Sequence, residues 1–308
     1  MIFKLAGAAA LVFCSSAYAG DRTDLPGLLS WGDNISGYFD VHGGLDFGFD
    51  DYFFDGAPIG DFTWLSSDFG GAARVSLEID PRFSIQADAW ANNFGTSSRN
   101  TYLGAGLHAT FDPTGNDQMG PFASIGGEYM VDYDQHFLTR LDMTNFGLEW
   151  AHNADKWRLY GQVGYSSNIN GMAFIEGWEQ HWQEIPFENI YGAVVGTFFF
   201  TPDLALSAKF AIDKYETSGV NWVVNNFELH WGAKFEYQPK SLPIIGYVAY
   251  SGRYEAFDNA EQNTFAGRGI ETVVIAGIKV PFGRSTIQDL YKHVGLADLN
   301  PAFGDFTY

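Results

Sequence analysis

Residues 35–50, ISGYFDVHGGLDFGFD, alternate between two kinds of side chain. Odd-numbered positions carry Ile, Phe, Val, Leu or Gly, and even-numbered positions carry Ser, Tyr, Asp, His or Gly. A period of two is the period of a β-strand, whereas a helix would spread these charges around its whole circumference. The stretch therefore predicts a strand with one apolar face and one polar face.

The same alternation recurs along the chain and defines twelve predicted strands. The run from Phe227 to Tyr237 is as regular as the first. Composition agrees, because 17% aromatic residues, 36 glycines and only 18% charged residues favour strands and turns over helices. The predicted strands are 35–49, 69–80, 82–92, 100–111, 120–132, 143–152, 156–168, 188–200, 203–214, 225–238, 243–254 and 268–282.

The connections between predicted strands alternate in length. Those after even-numbered strands are short, and four of the five contain proline, which suits tight turns: 81, 112–119, 153–155, 201–202 and 239–242. Those after odd-numbered strands are long: 50–68, 93–99, 133–142, 169–187, 215–224 and 255–267. Short turns at one end and long loops at the other are typical of outer-membrane barrels.

On this architecture, residues 35–282 resemble the broad class of porin-like Gram-negative outer-membrane proteins. The resemblance implies an all-β fold, a transmembrane antiparallel up-and-down β-barrel with short periplasmic turns and long extracellular loops. A secreted β-sandwich is the alternative, but its strands usually have about five or six residues. Most strands here reach the length that a tilted strand needs to cross a bilayer. About twelve strands are expected, and ten or fourteen remain open because a tail follows Phe282.

The two ends of the chain predict separate segments. Lys4, an apolar run and Ala17-Tyr18-Ala19 predict a signal peptide at 1–19 and a location in the bacterial outer membrane. A segment at 20–34 then precedes the barrel at 35–283, and a tail follows at 284–308. In this tail, Ser285-Thr286-Ile287-Gln288 matches a capping box and predicts a short amphipathic helix at 286–294.

The polar faces of the strands should line the lumen if the apolar faces contact lipid. Rings of carboxylates favour cations or neutral polar solutes over anions. Pairing of acids with bases across the lumen is the alternative. The predicted pore-lining residues are Asp40, His42, Asp46, Arg74, Glu78, Asp88, His108, Glu128, Glu149, Arg158, Lys209, Asp213, Glu228, His230, Lys234, Glu236, Arg253, Glu271 and Lys279.

These residues predict a narrow passive channel for small polar or cationic solutes, with no enzymatic activity and no cofactor. The expected partners are outer-membrane lipid, lipopolysaccharide, the solutes and the barrel-assembly machinery. A net charge of −20 argues against nucleic-acid binding. A non-conducting structural or surface-binding barrel is one alternative. A hydrolase with an acidic and histidine rim site at Asp132, Asp134 and His136 is the second.

The predicted loop 169–187 has aromatic residues at helix-like intervals. We expect it to fold into the mouth as a constriction formed by Trp178, Glu179, His181 and Trp182. Contact with the lipid surface, or with a phage or host, is the alternative. No metal site is predicted, because His181 lacks a second nearby histidine for zinc. The acidic run from Asp46 to Asp55 also lacks the spacing of an EF-hand calcium loop.

Overall fold

A computed structural model describes most of the chain from residue 34 to residue 294. The described residues are 34–54, 57–94, 98–132, 137–175, 183–184, 187–219, 222–259 and 265–294. The predicted signal peptide lies outside these residues, as does the end of the predicted tail.

Twelve long strands form one antiparallel sheet that closes on itself. Each pairs with its neighbours along the chain, and the first pairs with the last to close the barrel. The predicted twelve-stranded up-and-down barrel is therefore confirmed. Strand bounds are β1 Ile35–Phe54, β2 Ala57–Asp80, β3 Phe83–Phe94, β4 Ser98–Phe111, β5 Asp117–Asp132, β6 Phe137–Asn153, β7 Trp157–Ile175, β8 Gln183–Glu184, β9 Phe187–Thr201, β10 Leu204–Gly219, β11 Trp222–Tyr237, β12 Ile245–Asn259 and β13 Phe265–Phe282. The two-residue β8 pairs only with β7.

All short turns lie at one end of the barrel, which we call the short-turn end: 81–82, 112–116, 154–156, 202–203 and 238–244. Side-chain caps hold these turns, as where Asp112 Oδ1 accepts hydrogen bonds from the backbone N–H groups of Thr114 and Gly115 at 3.1 and 2.6 Å. Gly115 has a φ of 87°, a conformation that favours glycine. In outer-membrane barrels this end faces the periplasm.

At the opposite end, the strands extend beyond their predicted limits. The sequence predicts a loop at 50–68, but β1 continues to Phe54 and Asp50 pairs with Phe62 of β2. Strands also cover parts of the other predicted loops: 93–99, 133–142, 169–187, 215–224 and 255–267. Beyond the bilayer, backbone pairing continues although the two faces no longer meet different environments. The hydrophobic alternation therefore fades before the strands end.

The outer surface of the barrel is apolar. Leu107, Leu148 and Val163 are 61%, 62% and 59% exposed. Soluble proteins seldom expose continuous apolar surface of this extent, whereas lipid-facing strands require it. A closed barrel also pairs its backbone groups internally, as the bilayer core demands. The barrel is therefore a protein of the bacterial outer membrane.

On the inner surface, aromatic rings pack against glycines of neighbouring strands. The ring of Tyr247 lies on Gly277 of the neighbouring strand, and the ring of Tyr191 lies on Gly164. A Cβ atom at either glycine would lie 2.5 Å from the ring. Inward glycines thus create room that aromatic rings from the next strand fill.

Replacing Leu148 by arginine tests the lipid-facing surface. Leu148 lies between Pro121 and Val163, five residues from Asn153 at the short-turn end of β6. A tilted strand needs about 9–11 residues to cross the bilayer, which puts this position close to the midplane. We expect Leu148→Arg to lower the free energy of unfolding by about 2–4 kcal/mol in urea titrations of the barrel in phospholipid vesicles. Leu148→Phe, which stays apolar, is the matched control. An arginine variant as stable as the control would contradict the lipid-facing position.

Candidate functional site in the barrel lumen

The predicted pore-lining residues that the structure describes lie on the inner face. Glu78, Arg253 and Glu271 are partly exposed, and the rest are buried: Asp40, His42, Asp46, Arg74, Asp88, His108, Glu149, Arg158, Lys209, Asp213, Glu228, His230, Lys234, Glu236 and Lys279. The side chain of Glu128 lies outside the described residues. So do the predicted rim residue His136 and the predicted constriction residues Trp178, Glu179, His181 and Trp182.

A helix, α1, spans Ile287–His293 after the last strand. Its N-cap is Thr286, whose Oγ1 accepts a hydrogen bond from the backbone N–H of Asp289 at 3.1 Å. The cap lies one residue after the predicted Ser285. Acidic Asp289 in the first turn and basic Lys292 in the last turn both interact favourably with the helix dipole. Among the described residues, no helix has the length and apolarity needed to cross a bilayer.

The apolar face of α1 lies inside the barrel mouth at the short-turn end. Ile287, Leu290 and Tyr291 are at most 6% exposed. They belong to one buried cluster with inward residues of the barrel wall, and the ring of Tyr291 lies 6.1 Å from that of Phe199. The sequence predicts the amphipathic helix but not its partner. The available signal was the apolar run 193–200, whose inward side chains match the apolar face of α1.

Polar contacts fix the docked helix from inside the lumen. The Tyr291 hydroxyl donates a hydrogen bond to Glu236 Oε2 at 2.5 Å. Arg158 Nη1 donates to the backbone carbonyl of Val294 at 3.4 Å. Because both partners of the helix are buried, these contacts are shielded from water.

Ion pairs at the rim hold the connection to α1. Arg284 pairs with Glu78 of β2, and His293 Nδ1 lies 2.7 Å from the same carboxylate. His293 also lies 3.3 Å from Asp289, one helical turn earlier. The hydrogen bond from His293 holds the pKa of the Asp289 carboxyl below its usual value.

Above α1, a layer of paired charges fills the lumen. We call it the inner charge layer and define it by the cations and acids in the short-turn half of their strands: Arg74, Arg158, Lys209, Lys234, Lys279, Asp40, Asp88, Glu149 and Glu236. Lys279 Nζ lies 2.8 Å from Glu236 Oε1, and Arg74 Nε lies 2.8 Å from Asp88 Oδ1. Buried charges require such compensation.

His108 bridges two acids of the inner charge layer. Its Nδ1 lies 3.0 Å from Glu149 Oε2, and its Nε2 lies 2.9 Å from Asp88 Oδ2. A charged imidazole has one N–H on each nitrogen, so it donates to both carboxylates at once. Tyr160 adds a hydrogen bond from its hydroxyl to Glu149.

Further from the short-turn end, the lumen becomes acidic. We call this the outer acidic layer and define it by Asp46, Asp68, Asp213, Glu228, Glu255 and Glu271. Among the inward side chains that the structure describes at this level, Arg253 is the one arginine or lysine. It pairs with Glu271 and lies 3.9 Å from both Glu228 and Glu255. The sequence predicts most of these charges inside the barrel, but it misses Asp68 and Glu255, which lie in the predicted loops 50–68 and 255–267 and belong to strands in the structure. It also does not predict the separation of the charges into two layers.

Comparison with solved structures finds outer-membrane barrels. An outer-membrane channel of Pseudomonas putida F1 has a TM-score of 0.53 at 11% identity, covering 85% of this chain and 100% of that one. A FadL homologue of Pseudomonas aeruginosa scores 0.44 at 14% identity, covering 81% and 90%. The Escherichia coli outer-membrane protease OmpT scores 0.37 at 15% identity, covering 84% and 100%. The sequence matches no protein-family model and no curated protein. The likeness to the channel shows the fold class, an outer-membrane β-barrel.

Thiol labelling tests the docking of α1. Cys14 is the only cysteine of the chain, and the predicted signal cleavage removes it. We expect Leu290→Cys, at a position 3% exposed, to react with a maleimide about tenfold or more slower than Asp289→Cys, whose side chain is 39% exposed. Adding Tyr291→Ala should remove most of this protection, because losing a buried aromatic side chain costs about 3–5 kcal/mol. Equal labelling of the two single variants would contradict the docked helix.

Proposed function

We propose that the barrel is an outer-membrane channel for small polar or cationic solutes. The outer acidic layer carries the proposal, because it lines the lumen on the side away from the short-turn end. Carboxylates at close quarters attract cations, repel anions and hydrogen-bond to neutral polar solutes. The low dielectric of the surrounding wall and lipid strengthens these effects.

In this proposal α1 is the gate. It occupies the mouth at the short-turn end, and the turn at Gly283, with a φ of 74°, joins it to β13. The helix is held by this connection, by a hydrogen bond from the backbone N–H of Gln288 to the carbonyl of Pro202 at 3.0 Å, and by a set of side-chain contacts. Displacing it removes an apolar plug without breaking any pairing between barrel strands. A solute then passes from the outer acidic layer through the inner charge layer.

A non-conducting structural or surface-binding barrel is the second candidate. The inner charge layer favours it, because Arg74, Lys234 and Glu236 are each at most 2% exposed. Side chains packed this closely leave little room for water. The two candidates differ in one measurable property, which is conductance.

We also propose that the protein is not an enzyme. A histidine that acts as a general base must reach its substrate. The inward histidines of the described barrel wall, His42, His108 and His230, are at most 8% exposed and lie beside carboxylates. His152, on the other face of its strand, is 34% exposed and is paired with Asp117 at 2.8 Å. The predicted rim histidine, His136, lies outside the described residues. Activity against lipids or peptides that disappears in His136→Ala would support the hydrolase alternative instead.

Single-channel recording tests the gate. Wild-type protein in planar bilayers should show rare or small conductance steps, and deletion of residues 284–308 should increase them severalfold, because the plug is removed. Tyr291→Ala should fall between the two. If neither the wild type nor the deletion variant conducts above background, the barrel is non-conducting and the channel proposal fails.

Ion selectivity tests the outer acidic layer. Replacing two of its carboxyl groups, with Asp46→Asn and Asp68→Asn, should lower the K⁺ to Cl⁻ permeability ratio by about twofold or more, measured from reversal potentials in a salt gradient. Asp80→Asn is the matched control, because this exposed residue lies at a short turn outside the lumen. A ratio that changes equally in both variants would contradict selection by the outer acidic layer.

A further inference from the structure

We propose that Asp213, Glu228 and His230 form a binding site for a divalent transition-metal ion on the lumen wall. The inference goes beyond the proposed channel, because the site binds metal whether or not the barrel conducts. All three side chains are buried, with at most 4% of each residue exposed. One ligand atom from each lies within 4.8 Å of the other two.

Two neighbouring strands bring the ligands together. Asp213 of β10 pairs directly with Glu228 of β11. His230 follows Glu228 by two residues and therefore points to the same face. The barrel wall thus presents three ligands on a rigid backbone, an arrangement that holds a metal geometry precisely.

Both carboxylates face the same ring nitrogen. His230 Nε2 lies 3.1 Å from Asp213 Oδ1 and 2.9 Å from Glu228 Oε2. A single N–H points in one direction, so it makes a linear hydrogen bond to one oxygen only. A cation between the three atoms interacts with all of them at once. Ligands about 2.1 Å from a metal, at angles of about 90° to 110°, lie about 3.0–3.4 Å from one another, close to the distances here.

His108 in the same lumen shows the contrasting arrangement. It also contacts two carboxylates, but Asp88 and Glu149 lie at opposite ring nitrogens. The two N–H groups of a charged imidazole satisfy that geometry without a metal. His230 and His108 are therefore both buried and each contacts two carboxylates. Only the arrangement at His230, with both carboxylates at one ring nitrogen, suits a cation.

The surroundings of the site orient its ligands. The second oxygen of Glu228, Oε1, lies 3.4 Å from Asn226 Nδ2 and 3.9 Å from Arg253 Nη1. Contacts of this kind fix ligating carboxylates in metal sites. The positive charge of Arg253 is offset by Glu255 and Glu271, which it also contacts. One imidazole and two carboxylates suit Zn²⁺ and Mn²⁺, with water completing the coordination.

The sequence predicts no metal site because the prediction sought a second histidine or a calcium-loop spacing. The signal was Glu228 and His230 two residues apart on one strand. The third ligand comes from β10, and only the strand register places Asp213 opposite Glu228.

Zinc titration tests the site directly. Untagged barrel in detergent is stripped with chelator and titrated with ZnCl₂ by calorimetry, with bound zinc counted after equilibrium dialysis. We expect about one tight zinc ion per barrel, and both His230→Ala and Glu228→Gln should weaken its binding at least about 100-fold, since loss of supporting residues alone costs 10–100-fold. His108→Ala is the matched control and should retain the tight zinc. Heat-modifiable migration on gels verifies that each variant is folded.

Two results would overturn the metal site. One is wild-type protein that takes up no zinc. The other is zinc binding that survives in folded His230→Ala and Glu228→Gln, or that falls equally in folded His108→Ala. Conductance is not part of this readout. A barrel that binds zinc but does not conduct would refute the channel and leave the metal site. A barrel that conducts but binds no zinc would refute the metal site and leave the channel.

Discussion

The closure of the sheet between β1 and β13 is the constraint on which the rest of the structure depends. In lipid, an unpaired backbone N–H or C=O costs several kcal/mol, so the first and last strands must meet. Their register runs from Gly37 opposite Phe282 to Phe54 opposite Phe265. Closure separates lipid outside from a lumen inside, and the side-chain alternation of every strand then follows.

Closure buries many charged side chains in the lumen, and its two halves differ in how these charges are compensated. In its short-turn half, cations such as Lys279 and Arg74 lie against acids, since a buried charge without a partner is too costly. The apolar face of α1 completes this half by packing on buried wall residues such as Val195 and Phe199. The other half keeps an excess of carboxylates. The two ends of the barrel therefore differ, with α1 docked at the short-turn end and the outer acidic layer further along the lumen.

Much of the fold was readable from the sequence, whereas the site was readable only in part. Phe39 and Asp40 point to opposite faces of the sheet because the side chains of adjacent strand residues alternate between the two faces. Sequence reasoning failed where the hydrophobic alternation stops but pairing continues, as between Phe49 and Phe54. It also failed for relations across strands. Both carboxylates that contact His108 come from other strands, whereas His230 has one on its own strand, Glu228, and one on β10, Asp213. The local sequence therefore does not show which imidazole bridges two acids and which is a candidate metal ligand.

The sequence by itself determined the barrel class, a count of about twelve strands, the short turns and most of the inward charges. These depend on side-chain periodicity and turn residues, which are local properties of the chain. Only the tertiary structure decided that the helix after β13 enters the lumen, that acids and bases separate into two layers, and that Asp213 meets Glu228 and His230. The physical reason is strand register, because it sets which inward residues share a level and is determined by the closed sheet as a whole.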